Sequence, residues 1–249
     1  ALLAIPTSAH AMHCVANEGD TPAYLHCLYL LADDLRYEDF IYQEYNARQR
    51  VELDARILAL EATVATLTAY IRVNAANDTV SIVGANVYIQ SGSGASDDNG
   101  SLTGLGNLIV GYSEDDGNDE TRTGSHNLVV GEDHTWTDHG GVVFGESNNI
   151  TADFATVTGG QGNEASGSYA SISGGMSNLS SGDSASVLGG DSNEATGVYS
   201  IVGGGRNNLA SHASTAVLGG RSNTANGYIA TVGGGGYNLA GSDYATVIG

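Results

Sequence analysis

The sequence predicts a mainly β fold, in which a solenoid of roughly 15-residue turns follows an α-helical coiled coil. Three observations lead to this class. Glycine and asparagine recur every fifteen residues from about residue 145 to the end of the chain. A heptad pattern of aliphatic residues precedes them at 53–71. The chain has 36 glycines but only 3 Phe and 1 Trp, so large side chains for an ordinary globular core are scarce.

Residues 1–20 form an N-terminal segment before the first predicted helix. Residues 1–11 (ALLAIPTSAHA) are typical of the end of a secretory signal peptide, with an apolar stretch and a small-x-small pattern at 9–11. The two cysteines, Cys14 and Cys27, are expected to form one disulfide in a secreted chain. Two free thiols in a small apolar cluster are the alternative. Both features favour an extracellular location.

Residues 21–73 are predicted to form a helical coiled-coil stalk. Thr21 and Pro22 supply an N-cap and a first helical residue, and glycine is absent as far as Val73. Leu53 begins a run of alternating four- and three-residue spacings, and the predicted trimer core along it is Ile57, Leu60, Val64, Leu67 and Ile71. The heptads alone do not decide between dimer and trimer, since β-branched residues at a with Leu at d favour two strands. An amphipathic helix packed on its own domain is the alternative.

Residues 74–106 are predicted to be a β connector. Apolar residues alternate with polar ones on both sides of Gly84, which indicates two short strands joined by a turn. The alternating residues are Val80, Ile82, Val87 and Ile89. The segment SGSGASDDNGSLTGLG (91–106) is rich in Gly, Ser and Asp, and we expect it to be a flexible crossing into the repeats.

Residues 107–249 are predicted to form the solenoid, with the unit small-x-Val-x-Gly-Gly-x-x-Asn-x-Ala-x-Gly-x-Tyr. The small-x-Val alternation places Ala and Val on one face of a short strand, and glycine supplies the corner. Asn is expected to mark the next bend, because it tolerates the left-handed region and bonds to its own backbone. The columns are Gly145, 160, 175, 190, 205, 220 and 235, Asn148, 163, 178, 193, 208, 223 and 238, and Val157, Ile172, Val187, 202, 217, 232 and 247.

A second pattern, of aliphatic residues, repeats every two turns. One aliphatic residue beyond the valine occurs in each turn, on alternating sides of the unit. These residues are Leu188, Leu218 and Ile248 on one side and Leu179, Leu209 and Leu239 on the other. Each turn offers so little apolar surface to bury that we expect the roll to be stable only as a trimer, with these leucines in the seam between chains.

The repeats ATVTGGQGNEASGSYASISGG and ASVLGGDSNEATGVYSIVGGG resemble the head repeats of YadA-like trimeric autotransporter adhesins. The resemblance is good over 145–249 and fair over 107–144, where NLIVG and NLVVG are irregular versions. It implies a left-handed parallel β-roll with three chains side by side. The coil here precedes the head, and the C-terminal membrane barrel of that family is absent, so the resemblance does not extend to autotransport. Solenoids need a terminal cap, so we expect the natural chain to continue beyond Gly249.

The charge of the chain excludes several partners. With 28 Asp plus Glu against 8 Arg and no Lys, the net charge is −20, so nucleic-acid binding is not expected. Anionic membranes are disfavoured for the same reason. No apolar run approaches the length of a membrane span. No cofactor motif is present, since the glycines recur at repeat corners rather than between a strand and a helix.

Few residues offer site chemistry. The interruption at 112–126 holds a dense acidic set, Asp115, Asp116, Asp119 and Glu120, which is a weak candidate for Ca²⁺; a solvated loop is the preferred interpretation. Trp136 beside His134 is a candidate ligand contact for a sugar or a protein surface if it is exposed, but packing is the preferred interpretation. His126, His134 and His139 define no metal geometry.

The predicted function is an extracellular or cell-surface fibre or adhesin module, structural and binding rather than catalytic. Its expected partners are its own copies in a homotrimer and a glycan or protein on a host-cell or environmental surface. A phage-type or predatory-bacterial tail fibre or tailspike acting on a host glycan is the alternative. An ice-binding solenoid is less favoured, because the outward column from 156 to 246 reads Thr, Ser, Ser, Ile, Ala, Thr, Thr instead of an unbroken threonine row.

Overall fold

The computed structural model describes residues 21–112, 114 and 121–249, and within the helix it describes the side chains of residues 33, 35, 36, 38, 39 and 42–70. The chain divides into two compact units, residues 1–86 and 87–249. The first contains helix α1 (Thr21–Tyr70) and a hairpin of strands β1 (Ile71–Asn74) and β2 (Thr79–Ile82). No helix within the described residues is both long and apolar enough to cross a membrane.

The helix ends earlier than the sequence predicts. It stops at Tyr70 rather than Val73, and Ile71 begins β1, so this last predicted core residue of the coil lies outside the helix. Residues 71–74 and 79–82 pair as antiparallel strands. Their β-branched side chains favour a strand over a further helical turn. Asn74 supports the turn between them, because its side-chain oxygen accepts a bond from the backbone N–H of Ala76 at 3.0 Å.

The connector also departs from its prediction. Strand β2 pairs with β1 rather than with a strand at 87–89, which is irregular. The Gly- and Ser-rich segment that follows is ordered around the buried side chain of Asp98, which lies in a short 3₁₀ turn (Asp98–Gly100). The prediction of a flexible crossing was wrong, because hydroxyl and backbone donors converge on this one carboxylate.

The second unit is a parallel β-solenoid, as predicted. Its strands fall into two parallel sheets. The first contains β3 (Leu108–Val110), β4 (Leu128–Glu132), β6 (Val142–Glu146), β8 (Thr156–Val157), β10 (Ser171–Ile172), β12 (Ser186–Val187), β14 (Ile201–Val202), β16 (Ala216–Val217), β18 (Thr231–Val232) and β20 (Thr246–Val247). The second contains β5 (Thr135–Trp136), β7 (Asn149–Ile150), β9 (Glu164–Ala165), β11 (Leu179–Ser180), β13 (Glu194–Ala195), β15 (Leu209–Ala210), β17 (Thr224–Ala225) and β19 (Leu239–Ala240).

The register of the sheets follows the repeat. Ser171 pairs with Ser186 and Ile172 with Val187, so equivalent residues stack one turn apart. The turn is shorter between β4 and β6, where Leu128 pairs with Val142, a separation of fourteen residues along the sequence. The earlier NL-x-VG segments therefore belong to the same solenoid. The differences in the number of residues per turn fall in the segments between the strands, so the strand pairing is unaffected.

Small side chains fill the interior. The valine column and two alanine columns have almost no exposed surface, as the small-x-Val alternation predicts. Buried members include Ala185, Val187 and Ala195, each 0 % exposed. The residues between them, such as Ser186 and Glu194, face outward. The interior is narrow enough for these side chains to pack closely, which is why most larger residues of the regular turns lie on the surface.

Asparagine has a different place from the one predicted. It lies inside the solenoid and forms a ladder, so the expectation that it occupies the left-handed position of the bend was wrong. The Asn193 oxygen accepts the Asn208 backbone N–H at 3.0 Å. The Asn193 amide donates to the Gly189 and Gly205 carbonyls at 2.9 Å each. The left-handed residue is the one before Asn, for example Ser192 at φ 56°. All of the polar atoms of this buried side chain are therefore bonded.

The second glycine of each doublet is required by both conformation and space. Gly220 has φ +93°, and a Cβ built there would lie 2.1 Å from the Gly235 carbonyl oxygen. Gly219 beside it has no atom within 4 Å of its Cβ position. The two glycines of one doublet thus differ sharply in what they tolerate.

We predict that Gly220→Ala lowers the free energy of unfolding by about 2 kcal/mol or more, because the new Cβ meets the next turn in a left-handed conformation. Gly219→Ala in the same doublet is the control and should be neutral or slightly stabilising. Thermal unfolding at one protein concentration measures both. Equal stability of the two variants would contradict this account of the corner.

We predict that Asn193→Asp lowers the free energy of unfolding by about 3 kcal/mol or more, because a carboxylate cannot donate to the two glycine carbonyls and is buried beside them. Asn226, exposed on the same solenoid, is the control, and Asn226→Asp should change stability by less than about 0.5 kcal/mol. Circular dichroism during heating gives both values. A stable Asn193→Asp variant would show that the ladder contributes little.

Candidate functional site

Several predicted site residues fall outside the described residues. Cys14 and the side chain of Cys27 are among them, so the disulfide stays a prediction. The acidic candidates Asp115, Asp116, Asp119 and Glu120 also lie outside the described residues.

The solenoid buries the proposed ligand contact. Trp136 is 3 % exposed and His134 is 1 % exposed, so neither side chain is presented to a partner, and the structure favours packing over the candidate ligand contact. Trp136 closes the first turn of the second sheet, and the Arg122 guanidinium lies 5.4 Å from the centre of its ring. Both side chains therefore belong to the packing of this end of the solenoid.

His134 occupies the place that asparagine takes in later turns. Its Nδ1 accepts the backbone N–H of Asn148 at 3.1 Å, as a ladder oxygen would. Its Nε2 lies 3.1 Å from the carbonyl oxygen of Val130, four residues earlier in the sequence. The ladder asparagines likewise donate to the carbonyl four residues earlier, as Asn193 does to Gly189. The Nδ1 acceptor implies the neutral ring with its proton on Nε2. Burial lowers the pKa of His134, and its backbone bonds only partly offset this.

A second buried site surrounds Asp98. Its carboxylate accepts the Ser93 hydroxyl and the Thr103 backbone N–H and hydroxyl, each at 2.7 Å, and the Ser91 hydroxyl as well. The Ser125 hydroxyl and then that of Ser91 contribute most to holding the pKa of Asp98 well below its usual range. The carboxylate therefore stays charged and organises the loop.

This loop does not form a nucleophilic triad. His126 lies 4.0 Å from Asp98, but its Nε2 accepts the backbone N–H of Ser91 at 3.2 Å. The Ser91 hydroxyl donates to Asp98 instead of to the imidazole. An activated serine needs its hydroxyl bonded to the base, so the contacts here serve to order the loop. A recess of about 370 Å³ beside it is lined by residues 88–92, 94–96 and His126.

A recess on the second sheet bears on the hydrolase alternative. It has a volume of about 390 Å³ and is lined by Ser192, Glu194, Asn207, Asn208, Leu209, Ser222 and Thr224. Glycoside hydrolysis generally uses two carboxyl groups facing each other across the bond to be cleaved. Glu194 supplies one carboxylate to this recess and the other lining residues supply none. The recess offers hydroxyl, amide and apolar contacts, which suit binding better than hydrolysis.

One corner of the solenoid carries a row of exposed aromatic side chains, which we call the aromatic corner. Phe154 stacks on Tyr169 in the next turn, with ring centres 5.2 Å apart. His139 meets the Phe154 ring edge-on at 4.9 Å. Further along, Tyr228 contacts Tyr244 at 5.8 Å. The repeat predicts a tyrosine here, but only the stacking of turns places these rings in contact.

Two carboxylates lie beside this corner. Asp138 and Asp153 are one turn apart, and both contact the Nδ1 atom of His139. The hydrogen bond with Asp138 raises the pKa of Asp153, and the charges of Asp138 and Asp97 act in the same direction. Burial opposes ionisation of Asp138, but its bonds to Asp153 and His139 outweigh this and lower its pKa. This cluster is not among the sites predicted from the sequence. Its signal was two aspartates fifteen residues apart with a histidine next to the first.

We predict an acid-induced loss of stability that depends on His134. Because folding lowers the pKa of this ring, its contribution is present above the ordinary histidine value of about 6.5 and is lost as the pH falls below it. His134→Asn restores the ladder residue and removes the titration. The melting temperature of the parent should therefore fall more between pH 7.5 and 5.5 than that of the variant. An equal fall in melting temperature for the parent and the variant would contradict a role of His134 in the acid-induced loss of stability.

Comparisons with known proteins do not show a family for this chain. No family model matches the sequence, and no curated protein matches it. The resemblance to YadA-like head repeats therefore remains an expectation based on the repeat residues themselves.

Proposed function

We propose that this chain is a structural and binding module of an extracellular or cell-surface fibre, assembled as a homotrimer. The observation that carries this function is the filled interior of the solenoid. Columns of Val, Ala and Asn occupy it, so contacts with a partner fall on the exposed faces and corners. A stack of near-identical turns is suited to holding such faces at a distance from an anchor.

The helix supports assembly through a coiled coil. Its heptad side chains are exposed in the single chain; Ile57 is 43 % exposed and Leu60 is 65 % exposed. Exposed aliphatic side chains repeating at a and d are the pattern by which helices associate. Four heptad positions of the proposed core lie in α1, namely Ile57, Leu60, Val64 and Leu67. The trimer, rather than a dimer, is favoured by the resemblance of the repeats to trimeric heads.

The solenoid offers a second seam. Leu188 and Leu218 lie two turns apart, each just after a strand of the first sheet, and are 55 % and 60 % exposed. Leu239, in β19 of the second sheet, is 61 % exposed. Three rolls side by side would bury these leucines without ordering any further backbone. The proposed roll is left-handed, as the resemblance implies. A coil that holds the chains together would raise their effective concentration and favour this packing.

The proposed partner is a glycan or protein on a host-cell or environmental surface. The aromatic corner and the hydroxyl-lined recess near Glu194 are the faces that suit such contacts, since aromatic rings combine apolar area with a polar edge. A tail fibre on a phage or predatory bacterium would use the same faces. The net charge of −20 favours neutral or basic partners over anionic ones.

We predict that the full chain sediments and scatters light as a particle of three times its single-chain mass. Leu60→Asp should reduce this mass by placing a charge in the proposed seam. Leu58→Asp is the matched control, because Leu58 is exposed to the same extent but lies outside the a and d positions. A monomeric parent, or equal loss of mass in both variants, would refute the coiled-coil trimer.

The location needs a separate readout. Antibodies raised against the full chain should label intact cells or particles of the source without permeabilisation. Labelling of cells supports the surface fibre, and labelling of released particles supports the tail-fibre alternative. Labelling that appears only after permeabilisation would contradict both.

A further inference from the structure

A compact set of mixed ligand atoms lies where one solenoid turn stacks on the next. The Nδ1 atom of His139 is 3.1 Å from Asp138 Oδ1 and 3.0 Å from Asp153 Oδ1. All three ligand atoms lie within 4.8 Å of one another. The imidazole is mostly covered, with 14 % of its side chain exposed, while the two carboxylates remain accessible to solvent. An ion could therefore reach the cluster from outside.

These separations match those around a first-row divalent ion. With metal–ligand bonds of about 2.1 Å, neighbouring ligand atoms lie about 3.0 Å apart in an octahedron and about 3.4 Å apart in a tetrahedron. The two carboxylate distances to His139 Nδ1 fall at this spacing. One imidazole nitrogen with two carboxylate oxygens is a donor set for zinc and its neighbours, whereas Ca²⁺ and Mg²⁺ prefer oxygen alone.

The backbone holds the three ligands in place. The His139 carbonyl accepts the N–H of Phe154 at 2.9 Å, and the Asp153 carbonyl accepts the N–H of Tyr169 at 2.9 Å. The Phe154 ring packs edge-on against the imidazole at 4.9 Å and restricts its rotation. Asp138 also accepts the backbone N–H of His139 at 2.9 Å. Such support means that binding requires little further ordering of the ligands.

We propose that Asp138, His139 and Asp153 bind a divalent transition-metal ion, with Zn²⁺ the best fit, which links two successive turns at the aromatic corner. The ion neutralises two carboxylates that otherwise repel each other across the turns. It replaces the proton on His139 Nδ1, which the apo cluster uses to bridge them. Water completes its coordination on the exposed side. The site lies beside Phe154, so the ion also fixes the start of the aromatic row.

The test is calorimetric titration of the full chain with ZnCl₂ in a buffer that does not chelate metals. We expect the parent to bind one more Zn²⁺ ion than His139→Gln, or to bind it at least about tenfold more tightly, and Asp153→Asn to lose the same site. His212→Gln is the matched control, since His212 lies along the same corner and contacts Tyr228 without a carboxylate pair. It should bind Zn²⁺ like the parent. Ca²⁺ and Mg²⁺ should not compete.

A second readout separates loss of binding from loss of folding. Co²⁺ in place of Zn²⁺ should give visible absorption bands with the parent and the His212→Gln variant, and these bands should be lost with His139→Gln. Circular dichroism checks that each variant keeps its fold. Zn²⁺ should raise the melting temperature of the parent but not that of Asp153→Asn. Equal Zn²⁺ binding by parent and His139→Gln, or tighter binding of Ca²⁺ than of Zn²⁺, would overturn the site.

Discussion

The solenoid depends on the hydrogen bonding between successive turns, and its least replaceable element is the buried asparagine ladder. From Asn163 to Asn223, each ladder side chain accepts a backbone N–H from the next turn and donates to glycine carbonyls on two turns, as Asn178 and Asn193 show. A strand of two residues contributes little by itself, so the turn needs a further group to set its height and register. Asparagine does this because its amide offers an acceptor and two donors on one short side chain. The glycine at the corner follows from the ladder, since any Cβ there would meet both the amide and the next turn.

The narrow interior explains the division of the remaining residues. In the regular turns Val, Ala and Asn make up most of the interior, and most larger side chains are left for the surface. The surface therefore carries the variation between repeats: leucines at two-turn intervals, tyrosines at one corner and aspartates beside them. Side chains on these faces, unlike those packed in the interior, are available for contacts. A solenoid whose turns are alike inside and different outside can change its contacts without disturbing its packing.

The start of the solenoid shows how the ladder can be adapted. His134 replaces asparagine with a ring that makes equivalent bonds, and Trp136 fills the first turn of the second sheet. Asp98 has a related role in the connector, where its carboxylate accepts hydrogen bonds from hydroxyl and backbone N–H groups of a glycine-rich loop. Composition suggested flexibility in that loop. The inference failed because the partners of the carboxylate lie up to 27 residues away in sequence, as Ser125 does from Asp98.

The sequence by itself determined the class of fold, the length of the turn, the inward columns of Val and Ala and the positions of the glycine corners. These follow from a strict period and from alternation along a strand, which are local properties of the chain. Only the tertiary structure decided that asparagine faces inward, that β2 pairs with 71–74, and that His134 and Trp136 are buried. It also brought Asp138, His139 and Asp153 together. Such contacts arise when one turn is stacked on another, and the register of that stacking is set by hydrogen bonds between residues about fifteen positions apart.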